Sequence, residues 1–228
     1  MKRQDLYIFL GFVTVFLPFF LSKEVYDFYI TFNKGHGLIT AFIKFAVLAT
    51  FGEALGLRIR EGVYNRKGFG LLPRAAVWGF LGITIKVAFV IFASGTPKFL
   101  EYAGMKNATE IFTGDLSVYK IFVAFSISAA LNLIYAPVMM TLHKITDIHI
   151  VANSGKLKCL LQKIHFAENF KQINWDVQWH FIYKKTIPLF WIPAHTITFL
   201  LPTEFQVLFA ALLGIALGTI LAFASLKK

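Results

Sequence analysis

Residues 205–226 read FQVLFAALLGIALGTILAFASL, a run without a single Asp, Glu, Lys or Arg. As a helix it is ~33 Å long at 1.5 Å per residue, enough to cross the ~30 Å hydrocarbon core of a bilayer. Lipid offers no hydrogen-bond partner, so a helix is what satisfies each backbone N–H and C=O inside the segment. Ala210, Gly214, Gly218 and Ala222 recur at every fourth position, with a G-x-x-x-G at the centre. Such a stripe lets a second helix approach closely. Working outward, five further apolar stretches follow the same logic: Ile187–Leu201, Ile121–Leu142, Ala75–Ala93, Gly37–Leu57 and Leu6–Leu21. The stretch 187–201 is short; it either extends through Phe181–Tyr183 beneath Lys184 and Lys185 or stops before a full crossing. The expected fold is all-α: a polytopic transmembrane bundle of about six spans (6–21, 37–57, 75–93, 121–142, 187–201 and 205–226) in one integral membrane domain, 1–228.

Composition agrees. Of 228 residues 57% are hydrophobic and 15% charged, and 26 are Phe; the mean hydropathy is +0.65. A soluble domain carries about 45–50% apolar and about 25% charged residues. The net charge of +11 is scattered between apolar runs. It forms no groove for nucleic acid and suits anionic lipid headgroups instead. The single cysteine, Cys159, has no partner for an intrachain disulfide and no metal-site spacing, and is read as inert.

Lys and Arg concentrate in alternate connections. Lys2 and Arg3 lie at the amino end, Arg58, Arg60, Arg66, Lys67 and Arg74 in the second connection, Lys144 through Lys185 in the fourth, and Lys227 and Lys228 at the carboxyl end. By the positive-inside rule these face the cytoplasm, which gives six spans with both termini inside. The first stretch has the basic start of a signal peptide, but Phe19-Phe20-Leu21-Ser22 lacks the small-x-small cleavage pattern. Asn107-Ala108-Thr109 fits a glycosylation acceptor on an outer loop. In residues 156–171, Leu157, Leu160, Leu161 and Ile164 follow helical spacing opposite lysines, the pattern of an amphipathic helix on the cytoplasmic interface.

Small residues mark further helix-packing faces: Ala46, Ala49, Gly52 and Gly56 in the second span, and Gly79 and Gly82 in the third. They serve packing within one chain in preference to a homo-oligomer interface, which stays open. Pro137, Pro188, Pro193 and Pro202 imply kinks or ends in the fourth and fifth spans.

An ionisable side chain at the centre of a span costs at least ~2.5–3.5 kcal/mol, so it faces protein or water. Glu53 and Lys86 share the small-residue faces of their spans, whereas Lys44 lies about half a turn away and is expected to snorkel outward. Asn132 lies with Ser128 and Tyr135 on one face, and His195 with Trp191 and Thr198 on another. Glu53, Lys86, Asn132, Tyr135, His195 and Thr198 are therefore the candidate lining of a polar seam. The competing reading has Glu53 and Lys86 neutralising each other while Asn132 and His195 bond across helices. His143, Asp147 and His149 have spacing for a metal, but helix ends commonly carry such groups, and no metal or cofactor is assigned. The spans hold no Asp pair, and the chain has no phosphate loop or activated serine, so no enzymatic activity is expected.

Asn174-Trp175, Trp191-Ile192-Pro193, Thr198-Phe199, Pro202 and Gln206-Val207-Leu208-Phe209 resemble the closing signature of the twenty-two-kilodalton peroxisomal membrane protein family, the Mpv-seventeen type. Asn132 through Pro137 is similar to that family's Asp-Gln, apolar run and Ala-Pro, and Gly52-Glu53 echoes its Gly-Asp. Leu131 replaces the acidic residue, and Glu204 and Gln206 stand where arginines belong. The resemblance implies a distant relative: a multi-pass helical membrane protein, in a family usually drawn with four spans whose proposed activity is passage of small metabolites. The expected function is a pore or transporter for small, anionic solutes; the alternative is a structural or partner-binding membrane protein. The expected location is a bacterial cytoplasmic membrane, with the mitochondrial inner and peroxisomal membranes as alternatives.

Overall fold

The computed structural model describes residues 3–225, which are helical throughout apart from turns and loops. The helices are α1 (Arg3–Leu21), α2 (Lys23–Gly35), α3 (Gly37–Glu61), α4 (Leu71–Tyr102), α5 (Ala108–Thr113), α6 (Val118–Ala152), α7 (Phe166–Lys171), α8 (175–200) and α9 (Thr203–Ser225). Lys2, Leu226, Lys227 and Lys228, used above for orientation and for the last span, lie outside the described residues.

By its internal contacts the chain divides into two compact units, Met1–Thr40 and Ala41–Lys228. In the first, α1 and α2 meet at Ser22, whose side chain accepts from the Val25 N–H at 3.3 Å and caps α2. Phe19 and Tyr29 pack edge to face across that hairpin, with ring centroids 5.4 Å apart. No residue of α1 is buried, and Tyr7, Phe9, Val15 and Phe20 are all exposed. An apolar face left exposed in this way suits lipid rather than water.

In the second unit α3 is the shared wall, and glycine decides both of its neighbours. A Cβ on Gly82 would stand 2.7 Å from the Ala41 carbonyl oxygen and 2.6 Å from Phe45 Cβ, and one on Gly79 would enter the Phe42 ring. On the other side, a Cβ on Gly52 would stand 3.0 Å from Ile215 Cα and one on Gly218 3.2 Å from the Gly52 oxygen. The small-residue faces thus serve packing of α3 on α4 and α9 within the chain. Ala210 and Ala222 are buried, whereas a Cβ on Gly214 meets nothing within 4 Å. α6 packs along the end of α8, with Val123, Ala124 and Ile127 fully buried and the Ser128 hydroxyl donating to the Ile192 carbonyl at 2.7 Å. Outward lie Ile43, Val47, Phe80, Ile91, Leu133, Ile134 and Ile220, all exposed. Water would not tolerate such a belt, but lipid does.

Among the described residues five helices, α1, α3, α4, α6 and α9, are long and apolar enough to cross a membrane. The chain is a multi-pass membrane protein. The sixth expected span, 187–201, is the second half of α8; with Lys184 and Lys185 inside it, α8 falls outside that set. α6 and α8 both widen where proline removes a donor. The Ala136 N–H bonds the Leu131 carbonyl just before Pro137, and the Ile192 N–H bonds that of Ile187 just before Pro193, each five residues back rather than four.

The interfacial helix expected over 156–171 is also corrected. It divides into a 3-10 segment, Leu157–Leu161, and the short α7. Its buried residue is Cys159, 1% exposed, while Leu161 is 92% exposed. The cause is tertiary: His149 Nε2 donates to the Cys159 carbonyl at 2.9 Å and draws the backbone inward.

Candidate functional site

The site begins at the amino end of α4. Gly70 has φ +75° and Gly155 φ +66°, and a Cβ on either would stand within 3 Å of the other's backbone. Two left-handed glycines therefore clasp the loop before α4 to the turn after α6. α4 starts at Leu71, one turn earlier than expected, so Arg74 lies inside the helix rather than in a loop. Its Nε donates to the Phe69 carbonyl at 2.8 Å, and its guanidinium lies over the Phe69 ring, 4.6 Å from the centroid.

Held this way, Arg74 Nη1 pairs with Glu53 Oε2 on α3 and with Asp147 Oδ1 on α6. The other Glu53 oxygen, Oε1, accepts from Trp78 Nε1 at 2.7 Å and His143 Nε2 at 3.0 Å. His143 also lies 3.8 Å from Asp147, one helical turn on, and its ring packs on Trp78 at 4.3 Å. Lys144 Nζ completes the group, 4.0 Å from Asp147 Oδ2. The Arg74 side chain is 9% exposed and those of Glu53, Asp147 and His143 17–20%. Each buried charge thus has a counter-charge, as the cost of desolvation demands.

Deeper in the bundle the Asn132 amide nitrogen donates to the Ser128 carbonyl at 2.8 Å, and the amide meets His195 Nδ1 with its nitrogen at 3.0 Å and its oxygen at 3.2 Å. His195 stacks on Trp191 at 5.1 Å and meets the edge of Phe89 at 5.6 Å. The Tyr135 hydroxyl shares a 2.7 Å hydrogen bond with Thr84. Both clusters line one cavity of about 740 Å³, walled between them by Ile85, Leu131, Met139, Met140, Ile182 and Leu217. That volume lies within the ~300–1,000 Å³ range of small-molecule sites.

Of the six candidate seam residues, Glu53, Asn132, Tyr135 and His195 face this cavity; Lys86 and Thr198 do not. Thr198 is fully buried and returns its hydroxyl to the Ala194 carbonyl at 3.0 Å. Lys86 is half-buried beside Lys44, close enough for the two charges to repel. Glu53 therefore takes Arg74, not Lys86, as its cation, and Lys44 is 8% exposed rather than snorkelling outward. Glu53, His143 and Asp147 bring ligand atoms within 4.8 Å of one another, but the Arg74 guanidinium already joins the two carboxylates. His149, grouped with His143 and Asp147 by spacing, turns away to Cys159.

Sequence reasoning missed Arg74 and Trp78 as site residues. The i, i+4 spacing of His143 and Asp147 was a usable signal, and Arg74 four residues before Trp78 was another. No protein-family model matches the chain, and no curated protein or solved structure is detectably similar to it.

Proposed function

We propose that the protein is a pore or transporter for small anionic solutes and that the cavity between α3, α4, α6, α8 and α9 is its pathway. The observation that carries this reading is the cavity itself: one space of about 740 Å³ joins the charged cluster to Asn132, Tyr135 and His195. Four fixed cations line it, Arg60, Arg66, Arg74 and Lys144, against three carboxylates, Glu53, Glu61 and Asp147. That balance favours an anion at the charged end. The positive-inside rule sets this end toward the cytoplasm, against anionic headgroups, with a bacterial cytoplasmic membrane as the setting. The reading assigns no catalysis.

Membership of the twenty-two-kilodalton peroxisomal membrane protein family is part of the proposal. Its supports are local: Asn174 caps the start of α8 by accepting from Val177 N–H at 3.1 Å, Trp191 lines the cavity, and Pro202 lies in the turn before α9. The alternative, a structural protein, draws on the pairing within the cluster, which would serve to lock three helices equally well.

The test is flux of chloride, phosphate and acetate into liposomes containing the purified protein. Gly214 lines the cavity and a Cβ there meets no atom within 4 Å, so the Gly214→Phe ring starts from open space on the wall and obstructs the cavity. Flux should fall at least about tenfold in Gly214→Phe and persist in Lys86→Ala, a change outside the cavity. No flux in the wild type, or equal flux in both variants, removes the pathway and leaves the structural role.

A further inference from the structure

We infer that the cavity binds an elongated amphiphilic acid, with its carboxylate at the Arg60 end and its hydrocarbon body inside. This rests on reading the cavity as a solute site, and it narrows the class of solute. Three observations carry it.

The first is an unmatched cation. At the charged end Arg74 is taken by Glu53 and Asp147, and Arg66 by Glu61 at 3.1 Å, whereas Arg60 has no carboxylate partner among the described residues. Its Nη1 folds back over Gly56, 3.3 Å from where a Cβ would stand, which keeps the guanidinium on the cavity lining.

The second is a pair of buried donors left over in the same space. Gln178 is 7% exposed and lines the cavity, yet its Nε2 has no hydrogen-bond partner. Further along α8, Trp191 Nε1 is buried and equally unpartnered. A buried donor left without a hydrogen bond is costly, so such groups await an acceptor. Asn174, Val177 and Gln178 begin the cavity-lining face of α8 and Trp191 and His195 end it, so the two donors serve opposite ends of a ligand.

The third is the wall between them. Ile85, Met139, Met140, Ile182 and Leu217 are apolar and two are methionines, whose flexible thioethers fit a chain of variable shape. Thr186 and Tyr135 apart, this stretch lets a small anion pass but gives it nothing to hold it. A hydrocarbon body fits it, a carboxylate takes Arg60 and Gln178, and an oxygen at the far end accepts from Trp191.

The test is equilibrium binding to the full chain in nanodiscs of phosphatidylcholine, using a tail-brominated long-chain carboxylate that quenches nearby tryptophan. The difference between wild type and Trp191→Phe isolates the Trp191 signal. That signal should quench saturably, and palmitate should reverse it at lower concentration than methyl palmitate. In competition against radiolabelled palmitate, ω-hydroxypalmitate should be more effective than palmitate in the wild type and lose its advantage in Trp191→Phe. Arg60→Gln, at an exposed and unpaired side chain, should weaken binding about tenfold while the protein stays folded. Quenching that rises without saturation and equally in Gly214→Phe, or reversal by the ester as readily as by the acid, overturns the inference. Saturable binding without ion flux would remove the transport reading and keep this one. Chloride flux indifferent to added palmitate would keep transport and remove this one.

Discussion

Replacing Arg74 by Met keeps the length and apolar stem of the side chain and deletes the charge that joins α3, α4 and α6. The guanidinium is 9% exposed and pairs with both Glu53 and Asp147. Its loss leaves two carboxylates with His143, 3.0 Å from one and 3.8 Å from the other, and the half-exposed Lys144 at 4.0 Å. Breaking a buried ion pair by removing one partner costs about 3–5 kcal/mol. Here the carboxylates keep about a fifth of their exposure and His143 remains beside them, so the lower end applies, ~3 kcal/mol. Titration of the purified protein with dodecyl sulfate in mixed micelles, followed by circular dichroism, reads this directly. Arg74→Lys should fall between the two, since an ammonium cannot reach both carboxylates with the geometry of a planar fork. Adding Asp147→Asn to Arg74→Met should restore at least half of the loss, because one stranded charge disappears. A loss below ~1 kcal/mol for Arg74→Met, or no recovery in the double variant, would refute the assignment of Arg74 as the central counter-charge.

Two further expectations concern helix contact and the lone thiol. Gly82→Ala places a Cβ 2.7 Å from the Ala41 carbonyl and 2.6 Å from Phe45 Cβ; overpacking toward the upper end of ~1–3 kcal/mol outweighs the ~1 kcal/mol gain in helix propensity, whereas Gly214→Ala keeps that gain because its Cβ meets nothing. The same micelle titration should therefore rank Gly214→Ala above wild type and Gly82→Ala below it. Burial pushes the Cys159 thiol above its ordinary range, so the folded chain holds that proton when the unfolded chain has lost it. Stability from this group is full below the unfolded value, about 8.5, and falls as pH rises past it. Maleimide should accordingly label native protein at pH 7 at least about tenfold more slowly than unfolded protein.

The membrane class and most spans were legible because bilayer thickness converts directly into a run of apolar residues. Glu53, Asn132, Tyr135 and His195 were legible as cavity residues for a related reason: a polar group in a span must face inward. Arg74 was not, because a basic residue beside an apolar run reads equally well as a loop cation. Only the partner at Asp147, far along the chain, decides between the two. Lys86 failed in the opposite sense. It shares a face with Gly79 and Gly82, but those glycines admit the rings and backbone of α3 and leave Lys86 to one side of the cavity. The amphipathic pattern over 156–171 yielded to one hydrogen bond from His149, which no periodicity encodes.

The position of α3 between α4 and α9 has a consequence for biogenesis. A nascent chain leaves the ribosome in order, so the α3–α4 face can close as soon as Gly79 and Gly82 have entered the bilayer, with Glu53 already meeting Arg74. The opposite face of α3, with Gly52 and Gly56, has to wait until Gly218 is made. During that interval a bare glycine groove sits open in the membrane. That window is when an insertase or chaperone has something to hold, and when a competing small-residue helix from another chain could dock in place of the last one.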